Sequence, residues 1–135
     1  MRTEYAILNV DVNYDFANDI EDHRIFTTSD PEAIYAELVR IGATDDQNSV
    51  EEYTVDDDGE FLEGSDYDSP SNFRKRTAAA RSVKDICRMA GMSQNAVADR
   101  FYIPRRTFGN WCTEVRECPE YTKLMMQELL GLYRR

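Results

Sequence analysis

The amino-acid sequence predicts an α+β fold in two parts: a small acidic ββαββ-type module, then an all-α bundle of short helices. Three observations predict it. Strand formers around one helical apolar period dominate the first half, and four short helical periods fill the second. The charge divides at the same place. Residues 1–70 hold 20 Asp and Glu against 3 Arg, net −17; residues 71–135 hold 13 Lys and Arg against 6 acids, net +7. Between them, Gly64 to Asn72 (GSDYDSPSN) has the Gly, Pro, Ser and Asp content of a connection. The expected division is residues 1–64 as the acidic module, 65–81 as linker and basic lead-in, and 82–135 as the helical domain. With 135 residues in all, each half lies near the lower limit at which a chain buries enough surface to fold alone.

Within the first half, Tyr5 to Val12 is rich in strand formers, and its end alternates apolar with polar. Asn13 to Asp22 is acidic and turn-prone, and His23 to Thr28 is a second short strand. Asp30 suits a helix cap, Pro31 the first helical position and Glu32 the first turn. Ile34, Tyr35, Leu38, Val39 and Ile41 recur at helical spacing until Gly42 stops the helix. Val50 to Val55 is a third strand. Asp58-Gly59 is a hairpin signal before Glu60-Phe61-Leu62.

In the second half, Ser82-x-x-Asp85 resembles a capping box, and Val83, Ile86, Cys87 and Ala90 then share a face up to Gly91. Ser93 caps a helix whose stripe is Val97, Ala98 and Phe101. Pro104 opens a third helix with Phe108, Trp111 and Cys112 inward. Pro119 opens a fourth, with Tyr121, Leu124, Met125, Leu129 and Leu132 as its apolar side.

Several function classes are expected to be absent. No apolar run approaches the ~20 residues that span a bilayer. The start MRTEYAILNVDVNYD lacks the basic region and apolar core of a secretory leader, so no membrane role and a cytoplasmic location are expected. Cys87, Cys112 and Cys118 have no metal-site spacing; free, buried thiols in a reducing compartment are expected, with no metal and no cofactor. His23 is the only histidine, no nucleophile–base arrangement or phosphate loop is readable, and no enzyme is expected. Asp56-Asp57-Asp58-Gly59-Glu60 lacks the ligand alternation of a calcium loop and reads as a solvated turn.

The segment from Ser93 to Trp111 carries the functional signal. Two short helices meet through a tight turn, with Ala98 small at their crossing and Val97, Ile103 and Phe108 filling the wedge. The third helix then keeps Arg105, Arg106, Thr107, Gly109 and Asn110 on its outside, a face with no acids. Arginine can bond guanine at two points, and asparagine can do so with adenine. Arg105, Arg106, Thr107 and Asn110 are the expected base readers. Ser93, Gln94, Lys84 and Arg116 are the expected phosphate contacts.

This stretch resembles the helix-turn-helix of Cro/CI-like (XRE-like) phage repressors. It resembles still more closely small bacterial proteins that end in an SQ…F-x-IP-x-RT-x-x-NW…CPEY pattern, matched here by Ser93, Gln94, Phe101, Ile103, Pro104, Arg106, Thr107, Asn110, Trp111, Cys118, Pro119, Glu120 and Tyr121. The resemblance covers about the last 50 residues and implies a recognition helix from Pro104 to Cys112, often in a dimer on a palindromic operator. Two positions depart from it. Tyr102 stands where the turn usually has glycine, and Gly109 interrupts the recognition helix.

The expected function is a phage or mobile-element repressor of its own operon, binding double-stranded DNA as a homodimer. Two alternatives concern the acidic module. It would inhibit a host nucleic-acid-binding defence protein (an anti-CRISPR or anti-restriction role), with the helix-turn-helix as autoregulator, or it would neutralise a toxin as an antitoxin.

Overall fold

A computed structural model describes residues 1–10 and 23–135. The acidic, turn-prone segment Asn13 to Asp22 lies outside the described residues, as does the end of the first predicted strand. The chain forms two compact units, Met1–Arg74 and Lys75–Arg135. Among the described residues no helix is long and apolar enough to cross a membrane.

The first unit is the expected ββαββ module. Strands β1 (Arg2–Asn9), β2 (Arg24–Thr28), β3 (Asn48–Val55) and β4 (Phe61–Asp68) form one antiparallel sheet of order β2-β1-β3-β4. Helix α1 (Pro31–Ile41) starts where the Asp30 side chain accepts the Glu32 N–H at 3.0 Å. It stops at Gly42, whose φ of 65° a residue with a Cβ adopts only under strain. Ile34 and Leu38 of α1 pack with Ile7, Val50 and Phe73 into one buried cluster.

The other face of the sheet buries Ala6, Tyr53 and Val55. Strand alternation also puts Glu51 there, 1% exposed. A buried carboxylate needs partners. Arg24 supplies two, Nε to Oε1 at 2.7 Å and Nη2 to Oε2 at 3.0 Å, and the Ser65 hydroxyl donates a third at 3.0 Å. The Arg24 guanidinium also lies 4.5 Å from the Tyr53 ring centroid. In the β3–β4 hairpin, Asp56 Oδ1 accepts the N–H groups of Asp58 and Glu60, both at 2.9 Å, which is the solvated turn that Asp58-Gly59 signals.

The predicted connection at residues 65–81 is corrected. Strand β4 continues to Asp68, and α2 (Pro70–Ala80) follows with no irregular stretch. The Ser, Pro and Asp residues that suggest a linker form a helix start instead. Pro70 takes the first position, Asp45 accepts from the Ser71 N–H at 2.9 Å, and Phe73 enters the core of the sheet unit. The division between the units falls inside this helix, at Arg74/Lys75.

The second unit is helical: α3 (Val83–Ala90), α4 (Gln94–Arg100), α5 (Arg105–Cys112) and α6 (Glu120–Leu129) after the end of α2. Ser82 and Ser93 cap as expected, accepting from the Asp85 and Ala96 N–H groups at 3.1 Å each. One buried cluster joins Val83, Cys87, Val97, Ala98, Phe108, Cys112, Cys118 and Met126.

The predicted apolar side of α6 is also corrected. Tyr121, Met125 and Leu129 are 69%, 55% and 64% exposed, whereas Met126 and Gln127 are buried. The reason lies at the end of α2. Lys123 Nζ donates to the carbonyls of Ala79 and Arg81 at 2.7 and 3.1 Å, and Gln127 Nε2 donates to that of Ala78 at 2.9 Å. The last carbonyls of a helix lack intrahelical partners. Satisfying them turns the polar side of α6 inward.

Candidate nucleic-acid interface

Helices α4 and α5 are joined by four residues, Phe101–Pro104. Val97 and Ala98 are fully buried at the crossing, and Phe108 is 1% exposed. Phe101, Ile103 and Trp111 pack around them, half-buried. The chain reverses at Tyr102, whose φ of 57° lies in the left-handed region. The Ile103 N–H then donates to the Ala98 carbonyl at 2.9 Å, and the Phe108 N–H to that of Pro104 at 3.0 Å. The side chain of Tyr102, 94% exposed, adds no contact that would offset the strained turn. The wedge of apolar side chains holds it in place.

With Phe108 and Cys112 inward, the opposite side of α5 is left to polar residues. Arg105, Arg106 and Thr107 are exposed, and Gly109 and Asn110 are half-buried. A Cβ on Gly109 would meet nothing within 4 Å, so packing does not require glycine there. Arg106 makes no side-chain hydrogen bond or ion pair among the described residues. Arg105 is engaged: Nε donates to Asp99 Oδ1 at 3.1 Å and Nη2 to Oδ2 at 2.7 Å. That hydrogen bonding holds the Asp99 carboxyl below its usual range and raises the arginine above its own. The pair spans the turn, and residue types alone do not reveal it; the i to i+6 spacing across a turn is its only trace in the sequence.

The predicted phosphate contacts fall in two places. Ser93 and Gln94 begin α4, where the Ser93 hydroxyl caps the helix. Lys84 and Arg116 belong to the other end of α5. The Lys84 charge lies near enough to Cys112 to draw its thiol downward against the larger effect of burial. The Arg116 N–H donates to the Asn110 carbonyl at 3.2 Å, and its side chain borders a shallow groove with Ser82, Trp111 and Lys123. The first turn of α5 carries Arg105, Arg106 and Thr107.

The unit that holds this surface has 12 Lys and Arg against 6 acids, net +6 for residues 75–135. Its three thiols are free and buried. Among the described residues no group of three or more His, Cys, Asp or Glu is arranged to hold a metal ion. Phe108 and Trp111, with ring centroids 6.1 Å apart, belong to the core rather than to an exposed stacking platform.

Compared with known proteins, the chain matches no family model, no curated protein and no solved structure.

Proposed function

We propose that the protein binds a specific double-stranded DNA site through α5, as a repressor of the phage or mobile-element type acting on its own operon. One observation carries this reading. The first turn of a helix with an apolar inner side presents Arg105, Arg106 and Thr107 to solvent, and α4 is packed behind it across a four-residue turn. A helix held this way enters a major groove N-terminus first. The net +6 of the unit supplies the sequence-independent attraction to phosphates. Arg106, Thr107 and Asn110 are the readers free to turn toward bases; Arg105 reads with Asp99 attached.

The protein would act as a homodimer, and the outward side of α6, with Tyr121, Met125 and Leu129, is the apolar surface that a second copy would bury. Lys75 borders it, as do Arg135 and Glu128, which pair with each other at 2.8 Å.

Selection from a random duplex library tests the reading, because the library itself supplies the binding site. An enriched inverted repeat with half-sites about one helical turn apart is expected. A single enriched site without a repeat would contradict the dimer, and no enrichment would contradict DNA binding.

A further inference from the structure

Asp99 is the penultimate residue of α4 and Arg105 the first of α5. Their contact is edge-on: the guanidinium offers Nε and Nη2 to the two carboxylate oxygens at 3.1 and 2.7 Å. Both side chains are more than half exposed, 61% for Arg105 and 56% for Asp99. An ion pair this exposed adds little to stability. Its effect is to fix a direction. A guanidinium has five N–H donors in a rigid fork. Asp99 takes the Nε–H and one on Nη2. Three remain: one on Nη1 and the second on Nη2 form the pair at the end of the fork, and the other Nη1–H lies on the remaining edge, beside Cδ. The end pair is what the O6 and N7 of a guanine accept in a two-point contact.

We infer that Asp99 is a positioning residue that holds Arg105 as a guanine reader; this rests on the DNA-binding reading above. Without Asp99, the long side chain of Arg105 swings among rotamers and satisfies itself on any nearby phosphate. With it, two of the donors are occupied and the end pair keeps one direction. The carboxylate has a second effect of opposite sign. It adds negative charge beside a phosphate-lined groove, which weakens binding to every duplex. Asp99 thus gives up affinity for DNA in general and sharpens the choice of one base pair.

The two effects make the inference testable. The full-length protein is titrated against the duplex it enriches from a random library. Singly substituted versions, in which each G·C pair is replaced by A·T, and one unrelated duplex are titrated beside it. Asp99→Asn is expected to lose roughly fivefold or more of the discrimination at one G·C pair in each half-site, the low end of what one arginine–guanine contact supplies. Discrimination elsewhere stays unchanged, and the unrelated duplex binds more tightly. Arg105→Ala loses discrimination at the same pair, and adding Asp99→Asn to it changes that discrimination no further.

A purely structural Asp99 would instead weaken all duplexes alike, which overturns the inference. So does tighter binding to every duplex with the guanine preference intact, since Asp99 would then only compete for Arg105. Should Asp99→Asn fail to fold in a melting control, Asp99→Ser removes the same carboxylate with a smaller side chain, and full retention of guanine preference in it overturns the inference. If the wild type enriches no sequence, the DNA-binding reading fails and this inference with it. Enrichment together with any of the contrary variant results sinks the inference alone.

Discussion

Arg81 Nη1 donates to Gln127 Oε1 at 2.9 Å, joining the residue that follows α2 to the last turn of α6 with both side chains buried. The amide has two jobs. Its oxygen accepts from Arg81, and its nitrogen donates to the carbonyls of Ala78 and Lys123 at 2.9 and 3.2 Å. Arg81 also donates to the Leu132 carbonyl at 3.0 Å, so the same group holds the chain beyond α6. Buried polar groups specify one arrangement only when they are satisfied. Gln127 satisfies three others at once.

Gln127→Leu keeps the volume and removes every one of these bonds. The expected loss is about 1–3 kcal/mol, the cost of leaving buried partners unsatisfied. Trp111 is the only tryptophan and belongs to the helical unit, so its fluorescence in a urea titration reports that unit. An unchanged midpoint would contradict the role given to Gln127.

Tyr102 sits at φ 57° with its side chain almost wholly in water. A left-handed residue other than glycine carries roughly 1–2 kcal/mol of strain. Glycine gives back part of that through the freedom it adds to the unfolded chain, roughly 0.5–1 kcal/mol. Tyr102→Gly is therefore expected to stabilise the helical unit slightly, by up to about 1 kcal/mol. The Trp111 midpoint checks it, and a destabilised variant would mean that Tyr102 makes a contribution its exposure does not suggest.

The three thiols make the helical unit sensitive to alkali. Burial pushes Cys87 and Cys118 up to about 11, with the neighbouring Cys112 adding to both. An unfolded thiol ionises near 8.5. Below that pH both states are protonated and the stability is fully present. Between about 8.5 and 11 the unfolded state releases protons that the folded state keeps, so stability falls as pH rises through this window. Urea midpoints from about pH 8 to 11 are expected to drop for the wild type and to drop less for Cys118→Ala. Equal slopes in the two proteins would contradict it. At about pH 8 the native thiols are also expected to react slowly with a disulfide reagent until the protein is unfolded.

How much of this was legible in the sequence differs between the two units. Local signals were sufficient for α1, since Asp30, Pro31 and Gly42 act through bonds and dihedrals within one turn. The same holds for α3 and α4, where Ser82, Gly91 and Ser93 mark the boundaries. The helix α2 was hidden because its start, Ser69-Pro70-Ser71-Asn72, has the composition of a loop, and tertiary contacts of Phe73 decide in favour of a helix. The inward side of α6 was hidden for a related reason. Lys123 and Gln127 face inward only because α2 ends beside them, a long-range fact that periodicity does not carry. The burial of Glu51 depends on Arg24 and Ser65, brought together by strand order. In the candidate interface, the outward positions of α5 followed from spacing alone, since Phe108 and Cys112 fix the inner side. The engagement of Arg105 by Asp99 needed the turn geometry.

If the outward side of α5 binds duplex DNA in a sequence-dependent way, fluorescence anisotropy of the full-length protein detects it. The targets are the duplex from its own upstream region and a scrambled duplex, across a salt series, with Arg106→Ala alongside. Tight binding to the first duplex and weak binding to the second are expected. A log-linear decline with salt and a loss of about 1–3 kcal/mol on removing Arg106 are expected with them. Weak binding that ignores sequence and is unchanged in Arg106→Ala would contradict it, and the helical unit would then be a scaffold for protein contacts.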